Sequence, residues 1–396
     1  MIPRLLNLTE ILEFSQSAFI FGPRGTGKSV LSRAYLKGAP HSMTIDLLKS
    51  DEYLRLLHEP WRIRSEIQEQ MKHVEIMVVL IDEVQKIPLL LDEVHWCIEQ
   101  YPQRLSFVLT GSSARKLKRQ QANMLAGRAR RLHLHPLSQM EVELDLDEAL
   151  TRGTLPVLLA AKGGWNKVPG SLLSAYVETY LKEEIIQEAV VRKVDVFSRF
   201  LELAAQMNGE PINFTRVGRN CKVTTKTAQE YFEILTDTML ATRVDGWSES
   251  VTKQLLQQPK FYFFDCGVLN ALTGDLRSQL KSSSFRYGRL FETWLLQEMI
   301  RASDYLGLGL RFNYWKTSQG QEVDFVVSRT FHKPLAALEV KSGDTPDSTD
   351  FSGLRAFSSE YPDVPQFCLC RTPRAYRVGD VTVVPWQEAP RILAAL

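Results

Sequence analysis

Residues 22–29 read Gly-Pro-Arg-Gly-Thr-Gly-Lys-Ser, a complete GxxxxGK[ST] motif. The apolar stretch 17–21 before it predicts a strand, and the stretch 29–36 after it predicts a helix. Glycines let such a loop point its backbone N–H groups at phosphate, at the positive end of the helix. We therefore expect a loop that encloses a triphosphate, with contacts from Gly22, Pro23, Arg24, Gly25, Thr26, Gly27, Lys28, Ser29 and Val30.

A second stretch supplies carboxylates for this loop. Residues 78–83 read Val-Val-Leu-Ile-Asp-Glu, an apolar strand that ends in Asp82 and Glu83. Lys28 can reach the β- and γ-phosphates, and the Ser29 hydroxyl can bind Mg²⁺. Asp82 is placed to hold the metal ion through water, and Glu83 to polarise the attacking water. The two stretches together predict Mg²⁺-dependent hydrolysis of a nucleoside triphosphate.

A third apolar strand, at 105–109, ends in Thr110-Gly111-Ser112-Ser113. In open α/β sheets the ligand lies at the carboxyl ends of the strands, so Thr110 and Ser112 are expected beside the phosphates. A hydroxyl there can align the attacking water or sense the γ-phosphate. Ser112 or Ser113 also suits the N-cap of a helix, and this alternative stays open.

The composition is that of an ordinary globular chain. Its 396 residues are 44% hydrophobic and 24% charged, with a net charge of +2, and the length predicts two or three domains. So small a net charge draws no nucleic acid by itself, and any such binding has to be local. A basic stretch at 113–131 and an acidic stretch at 141–148 are of the kind that usually forms solvated helix faces.

Neither a metal-binding pattern nor a membrane segment is evident. The five cysteines are scattered without a CxxC pair, and His133 and His135 alternate on a predicted strand without partner ligands nearby in the sequence. No apolar run approaches the ~18 residues of a membrane span, and the N-terminus has no signal-peptide core. We expect no structural zinc site, reduced thiols and a soluble, cytoplasmic protein.

The predicted elements divide the chain into parts. Residues 1–150 alternate strands and helices, which predicts a parallel sheet covered on both faces. The strands are expected at 17–21, 42–46, 76–81, 105–110 and 130–135, and the helices at 29–37, 63–73 and 89–100. After a break at 153–156, a long helix at 172–189 is expected to form a helical lid within residues 151–195.

Residues 196–264 predict a helix-turn-helix unit with a strand-rich wing at 240–264. Helices are expected at 196–207, at 213–220 and after Val223-Thr224-Thr225. The recognition helix, where contacts with DNA are usually made, begins with Lys222, Thr224, Thr225 and Lys226. Winged helices also serve as protein-packing modules, so a purely structural role stays open.

A second chemical pattern follows residue 285. Strands are predicted at 322–327 and 335–341 with a hairpin turn between them, and alternation puts Glu339 and Lys341 on one face, across from Asp324. The two carboxylates can bind Mg²⁺, Glu292 on a helix at 286–302 can add a ligand, and Lys341 can activate water against a phosphodiester. Charged residues on an exposed strand also produce this D-x14-ExK pattern. A helix at 351–361 and strands at 366–369 and 381–384 would complete an αβββαβ core.

These motifs resemble a widespread bacterial and archaeal AAA+ ATPase family over nearly the entire chain. The nucleotide-binding part carries GPRGTGKS, VVLIDEVQK, VLTGSS, LAGR and HPLSQME. Further counterparts are GTLP, YVETYLKEEI, KFYFFDCGVL, GRLFETWLLQE and QEVDFVV…LEVKSG. The C-terminal part resembles the PD-(D/E)xK nuclease superfamily, which has the restriction-endonuclease-like fold.

The resemblance implies roles for single residues. Thr110 is similar to the sensor residue, and Arg128, in the LAGR stretch, lies where AAA+ proteins commonly have an arginine finger. Such a residue acts on a neighbour's γ-phosphate, which implies a homo-oligomer, although Arg128 also suits a surface cation. Glu292, Asp324, Glu339 and Lys341 match the nuclease positions, and the usual proline before the first aspartate is replaced by Val323.

The expectation is thus an α/β chain with four parts. These are an AAA+ P-loop sheet (1–150), a helical lid (151–195), a winged helix (196–264) and a restriction-endonuclease-like domain (265–396). The expected function is Mg²⁺-dependent ATP hydrolysis coupled to a DNA-directed module that cleaves DNA in genome defence or mobile-element control. The alternatives are a nucleotide-driven remodeller, whose nuclease fold is a non-catalytic binding platform, and a signalling switch.

Overall fold

A computed structural model describes residues 2–12, 17–112, 115, 117, 125, 127–159, 170–181, 194–250, 254 and 257–396. Its strands are β1 (Ser17–Phe21), β2 (Ser42–Asp46), β3 (Met77–Asp82), β4 (Leu105–Gly111), β5 (Ala129–His133), β6 (Ala241–Val244), β7 (Lys260–Phe263), β8 (Arg311–Lys316), β9 (Glu322–Ser328), β10 (Pro334–Val340), β11 (Gln366–Cys370), β12 (Tyr376–Val378) and β13 (Val381–Pro385).

Its helices are α1 (Leu8–Leu12), α2 (Lys28–Leu36), α3 (Ser50–His58), α4 (Arg62–Gln70), α5 (Leu90–Gln100), α6 (Leu146–Arg152), α7 (Pro156–Leu159), α8 (Gly170–Ala175), α9 (Val194–Gln206), α10 (Phe214–Cys221), α11 (Thr225–Asp237), α12 (Cys266–Thr273), α13 (Phe285–Tyr305), α14 (Ser352–Glu360) and α15 (Ala389–Ala395). Ser113, much of the basic stretch and residues 182–189 of the expected lid helix lie outside the described residues.

Strands β1–β5 form one parallel sheet in the order β2-β3-β4-β1-β5, which confirms the predicted parallel sheet. Every residue of β1, β3 and β4 is buried, as helices on both faces of a parallel sheet require. Phe19 packs in the core on one face and the adjacent Ile20 in the core on the other. Because β4 lies between β1 and β3, its carboxyl end separates the ends of those two strands.

Several elements were not predicted, namely α1, α3, α6, α7, α12, α15, β8 and β12. In α3 the signal was present in the sequence and was missed, because Tyr53, Leu56 and Leu57 recur at helical spacing. Its charges suit the helix dipole, with Asp51 in the first turn and Arg55 in the last. The expected lid helix begins as α8 and widens into a π-helical turn at Tyr176–Leu181.

Helices α9, α10 and α11 confirm the three predicted helices, and β6 and β7 pair antiparallel after them. The Thr224 hydroxyl caps α11 by accepting a hydrogen bond of 3.1 Å from the Thr227 N–H. An aromatic core joins these elements. The ring of Phe232 lies 4.9 Å from that of Phe200 and 4.4 Å from that of Phe261, measured between centroids.

The C-terminal sheet has the order β12-β13-β11-β10-β9-β8. Strands β8, β9 and β10 are antiparallel neighbours, and β11 returns parallel to β10 after α14. With α13 preceding them, the elements follow the predicted αβββαβ order. One apolar core runs from Ala149 to Leu393, so the middle and C-terminal parts pack as a unit.

The aromatic core of the helical part gives a stability prediction. Phe200 is fully buried, so Phe200→Ala removes a packed ring and leaves a cavity, which we expect to lower the free energy of unfolding by about 3–5 kcal/mol. Phe285→Ala is the matched control, because Phe285 is 80% exposed and its loss should change the same quantity by no more than about 0.5 kcal/mol. Urea unfolding followed by circular dichroism measures both. Equal losses would contradict the packing described.

Candidate nucleotide and carboxylate sites

The candidate phosphate-binding loop, residues 22–29, is shaped by close backbone contacts at the end of β1. A β-carbon at Gly22 would lie 2.2 Å from the Leu134 carbonyl oxygen, so no side chain fits there. Gly25 and Gly27 have φ of +84° and +95°, in the region that glycine adopts without strain. Gly27 then forms the N-cap of α2, so the amides at the start of α2 face the bend of the loop.

Lys28 is folded back into this loop. Its ammonium donates hydrogen bonds to the carbonyl oxygens of Gly22 at 2.7 Å and Pro23 at 3.2 Å, and the side chain is buried. The Thr26 hydroxyl donates to the same Pro23 carbonyl at 2.9 Å. From the π-helical turn, the Tyr176 hydroxyl donates to the Arg24 carbonyl at 2.8 Å. The expected lid segment therefore touches the loop directly. Val30, by contrast, presents an exposed side chain.

Asp82 connects the ends of three elements. Its Oδ1 accepts a hydrogen bond of 3.0 Å from the Ser29 hydroxyl on α2 and another from the Thr110 hydroxyl at the end of β4. Its Oδ2 is buried, and no described residue donates a hydrogen bond to it. The Arg33 guanidinium lies 3.6 Å from that oxygen. A hydroxyl beside a buried carboxylate with an unsatisfied oxygen is a donor set that fits Mg²⁺.

Glu83 has an unusual backbone. Its φ is +63°, a left-handed conformation that costs a residue other than glycine of order 1–3 kcal/mol. The Glu83 N–H donates to the Thr110 hydroxyl at 3.2 Å. Its carboxylate accepts from the Gln85 amide, which also donates to the Ser112 hydroxyl at 3.1 Å. Thr110 and Ser112 therefore belong to the same hydrogen-bonded group as the two carboxylates.

Arg128 lies far from this group, just before the amino end of β5. Because β5 is parallel to β1, that end of the sheet is opposite to the phosphate-binding loop. The Arg128 guanidinium is partly exposed and pairs with the Glu99 carboxylate at 2.6 Å. An action of Arg128 on a γ-phosphate would therefore need a neighbouring copy of the chain.

The candidate nucleic-acid residues lie on the surface. Lys222 ends α10 in the left-handed conformation with φ of +56°, and α11 begins at Thr225. The side chains of Lys222, Thr224, Thr225 and Lys226 are all exposed. They present two cations and the amino end of a helix to solvent, a combination that suits phosphate.

The C-terminal carboxylates come from three elements, as predicted. Asp324 on β9 accepts a hydrogen bond of 2.8 Å from the Val340 N–H on β10. The Lys341 ammonium lies 2.9 Å from Glu339 Oε1, so these two residues share a face. Glu292 projects from α13, where its Oε1 accepts a hydrogen bond of 2.6 Å from the Tyr262 hydroxyl.

These carboxylates bind protons more tightly than free ones. Burial, with repulsion from Asp324, raises the pKa of Glu292 to about 7 and holds the pKa of Glu339 well above its usual value. Burial also raises the pKa of Asp324, against the attraction of Lys260. Glu339 Oε2 is buried and receives no hydrogen bond from a described residue. A divalent cation would relieve this repulsion and could bind the unsatisfied oxygen. The ligand oxygens of Glu292, Asp324 and Glu339 do not all lie within 4.8 Å of one another, so the three side chains would have to move closer to bind one ion.

Lys260 and Tyr262, on β7, are part of this group but were missed from the sequence. The Lys260 ammonium is buried and pairs with Glu322. Burial opposes its charge, but Glu292 and Glu322 outweigh burial and raise the pKa of Lys260. The stretch 260–264, Lys-Phe-Tyr-Phe-Phe, is typical of a core strand, so no sequence signal marked these two polar groups.

A further group corrects the sequence analysis. His133 and His135 were expected to lack partner ligands, but α13 brings Asp304 to them from 171 and 169 residues away along the chain. The ring nitrogens lie 3.3 Å and 2.7 Å from the same oxygen, Asp304 Oδ2. The acidic stretch also differs from the expected solvated face, because Glu141 is buried and pairs with Arg4 at 2.9 Å.

Comparison with known proteins agrees with the candidate nucleotide site. Residues 15–143 match a family described as an AAA domain. Residues 143–279 and 287–389 match two families described as domains of unknown function (DUF8612 and DUF4143). Uncharacterized proteins of Mycobacterium tuberculosis and Mycobacterium bovis are each 26% identical over 343 residues, which cover 86% of this chain and 73% of theirs. The AAA match supports an AAA-type ATPase family, in which nucleotide is bound and hydrolysed and Mg²⁺ is typical.

In the part of the chain that the structure describes, no helix has the length and apolar character needed to cross a bilayer.

The contact between Ser29 and Asp82 gives a second prediction. Ser29→Ala removes the hydroxyl that would complete the metal site. The factor by which Mg²⁺ lowers the Kd for ATP should therefore be at least about tenfold smaller in this variant than in the wild type. Ser42→Ala, at the exposed start of β2, should leave the Mg²⁺ effect unchanged. Titration of a fluorescent ATP analogue with and without Mg²⁺ measures this difference. An undiminished Mg²⁺ effect in Ser29→Ala would contradict the assignment.

Proposed function

We propose that the chain is a Mg²⁺-dependent ATPase that uses residues 22–30 to hold the triphosphate. The observation that carries this proposal is the Asp82 carboxylate, which accepts from Ser29 and Thr110 and keeps a second oxygen unsatisfied. The site therefore combines a phosphate-binding loop, a hydroxyl and a buried acid within hydrogen-bonding distance. A simple tight turn would need none of these contacts.

The residues of the loop and of the neighbouring strand ends have separate roles in the proposed hydrolysis. The amides at the start of α2 bind the phosphates, and the Lys28 ammonium moves from its two carbonyl partners to the β- and γ-phosphates. Ser29 and Asp82 would hold Mg²⁺, which would neutralise charge on the phosphates. Glu83 orients the attacking water, and Thr110 fixes Glu83 through its backbone N–H.

Gln85 positions the Glu83 carboxylate in this scheme. It holds the Glu83 carboxylate and the Ser112 hydroxyl together, so it sets the direction in which Glu83 points. Arg128, at the far end of β5, would complete the site of an adjacent copy, which is why we propose a homo-oligomer.

This scheme predicts the behaviour of two variants. Glu83→Gln should bind ATP but hydrolyse it at least about 100-fold more slowly, because the amide cannot polarise water. Lys28→Ala should lose most of its ATP binding. Lys37→Ala, an exposed cation at the end of α2, is the control and should hydrolyse ATP normally. Titration of a fluorescent ATP analogue measures binding, and phosphate release over a range of ATP concentrations measures hydrolysis in all three variants. Wild-type turnover in Glu83→Gln would overturn the proposed role.

As a second activity, we propose that the C-terminal part is a metal-dependent nuclease. Support comes from the αβββαβ order, from the three carboxylates on α13, β9 and β10, and from the Lys341 ammonium beside Glu339. Glu292, Asp324 and Glu339 would hold Mg²⁺, which lowers the pKa of a bound water. Lys341 would orient that water toward the phosphodiester.

DNA is the proposed substrate, and the winged helix is the part proposed to bind it. The exposed residues at the start of α11 are cationic and hydroxyl-bearing, and β7 of the same module reaches the carboxylates through Lys260 and Tyr262. We keep the four-part division at 1–150, 151–195, 196–264 and 265–396 as a proposal. Its last two parts share the core described above, so we expect DNA binding and cleavage to depend on each other.

Plasmid cleavage tests the nuclease. Asp324→Ala and Lys341→Ala should each lower Mg²⁺-dependent nicking at least about 100-fold, because one removes a ligand and the other the group that orients water. Lys333→Ala, in the exposed turn between β9 and β10, should nick normally.

An absence of DNA cleavage would also have a physical explanation in the structure. Lys260 is a buried cation that already balances these carboxylates. If the wild type never cuts DNA with Mg²⁺ or Mn²⁺, the nuclease is refuted and the fold is a binding platform for a nucleotide-driven remodeller or switch.

A further inference from the structure

We propose that His133, His135 and Asp304 form a transition-metal site of the Zn²⁺ class, which clamps the nucleotide-binding sheet to α13. His133 is the last residue of β5 and His135 lies two residues beyond it. Asp304 is in the final turn of α13, the helix that also carries Glu292. The site is separate from both carboxylate groups described above.

The distances suit a metal ion. His133 Nδ1 and His135 Nε2 lie 3.3 Å and 2.7 Å from Asp304 Oδ2, and the three ligand atoms lie within 4.8 Å of one another. Ligands about 2.0–2.1 Å from a tetrahedral ion are roughly 3.3 Å apart, so small shifts would admit Zn²⁺. Across the described residues, no other set of three histidine, cysteine or acidic side chains meets this distance limit.

The ligand types also suit a transition-metal ion. Two imidazoles with one carboxylate select Zn²⁺ and similar ions over Mg²⁺ and Ca²⁺, which prefer oxygen ligands.

The site is open on one side. The side chains of His133 and Asp304 are 44% and 35% exposed, whereas that of His135 is 10% exposed. An ion can therefore enter from solvent, and water or another donor can take the fourth position.

A bound ion would brace the contact between the phosphate-binding loop and α13. Arg4 donates to the carbonyls of Thr26, in the loop, and His135, both at 2.7 Å. The Tyr305 hydroxyl, next to Asp304 in the chain, accepts from Arg4 at 3.0 Å and from the His135 N–H at 3.1 Å. The ion would thus tie together groups that already join the two parts, and stabilise the folded chain.

Cobalt binding tests the site. The untagged protein is stripped of metal with a chelator and titrated with Co²⁺, whose visible absorption distinguishes tetrahedral from octahedral coordination. We expect one equivalent with a tetrahedral spectrum, a rise in melting temperature with Co²⁺ or Zn²⁺, and no spectrum with Mg²⁺. His133→Ala, at an exposed position that should not disturb folding, should weaken Co²⁺ binding at least about tenfold, and Asp304→Asn should do the same.

Three controls separate this site from others. His73→Ala removes an exposed histidine that lies 3.7 Å from Glu69 and should change nothing. Ser29→Ala and Glu339→Ala should keep the full cobalt spectrum, because they belong to the two carboxylate sites. Absence of a stoichiometric spectrum in the wild type would overturn the proposal and leave a hydrogen-bonded His–Asp contact. An unchanged spectrum in both His133→Ala and Asp304→Asn would also overturn it.

Discussion

The nucleotide-binding part depends on one buried carboxylate, Asp82, and on the two hydroxyls that donate hydrogen bonds to it. A charge inside an apolar sheet is costly unless it is hydrogen-bonded, so the fold must bring Ser29 and Thr110 to it. The strand order achieves this, because β4 lies between β1 and β3 and delivers Thr110 directly beside Asp82. The same order sets the loop, Asp82 and the Thr110 hydroxyl at one edge of the sheet, where the proposed triphosphate would contact all three.

Helix α13 connects that edge to the rest of the chain. Near its middle it carries Glu292, and at its end Asp304 and Tyr305 contact the nucleotide-binding part. Between them, Arg301 and Glu298 form a fully buried ion pair at 2.7 Å. Arg301 also donates to the Leu137 carbonyl at 2.9 Å, and Glu298 accepts from the Gln139 N–H at 2.9 Å, so the pair joins α13 to the nucleotide-binding part. Removing one partner of such a pair typically costs about 3–5 kcal/mol. Contacts thus run from Thr26 through Arg4, His135 and Tyr305 to α13, the helix that carries Glu292.

Most of the fold could be predicted from the sequence, because apolar strands and cap residues act locally. The central strands are predominantly apolar, and Thr224 has the side chain of a helix N-cap at the start of α11. What the sequence could not supply is pairing across long separations. The carboxylate of Asp304 meets His135 over 169 residues, and Tyr262 meets Glu292 by the packing of β7 on α13. Glu141 was predicted to be a surface charge, because the sequence around it does not indicate its partner Arg4, which lies 137 residues earlier.

The most direct test of the central claim is a crystal structure with Mn²⁺ and a non-hydrolysable ATP analogue. The account predicts an anomalous manganese peak at about 2.0–2.5 Å from the Ser29 hydroxyl, next to Asp82, with the phosphates resting on the amides that begin α2. Density for the nucleotide at another place, or a manganese peak remote from Ser29 and Asp82, would contradict it.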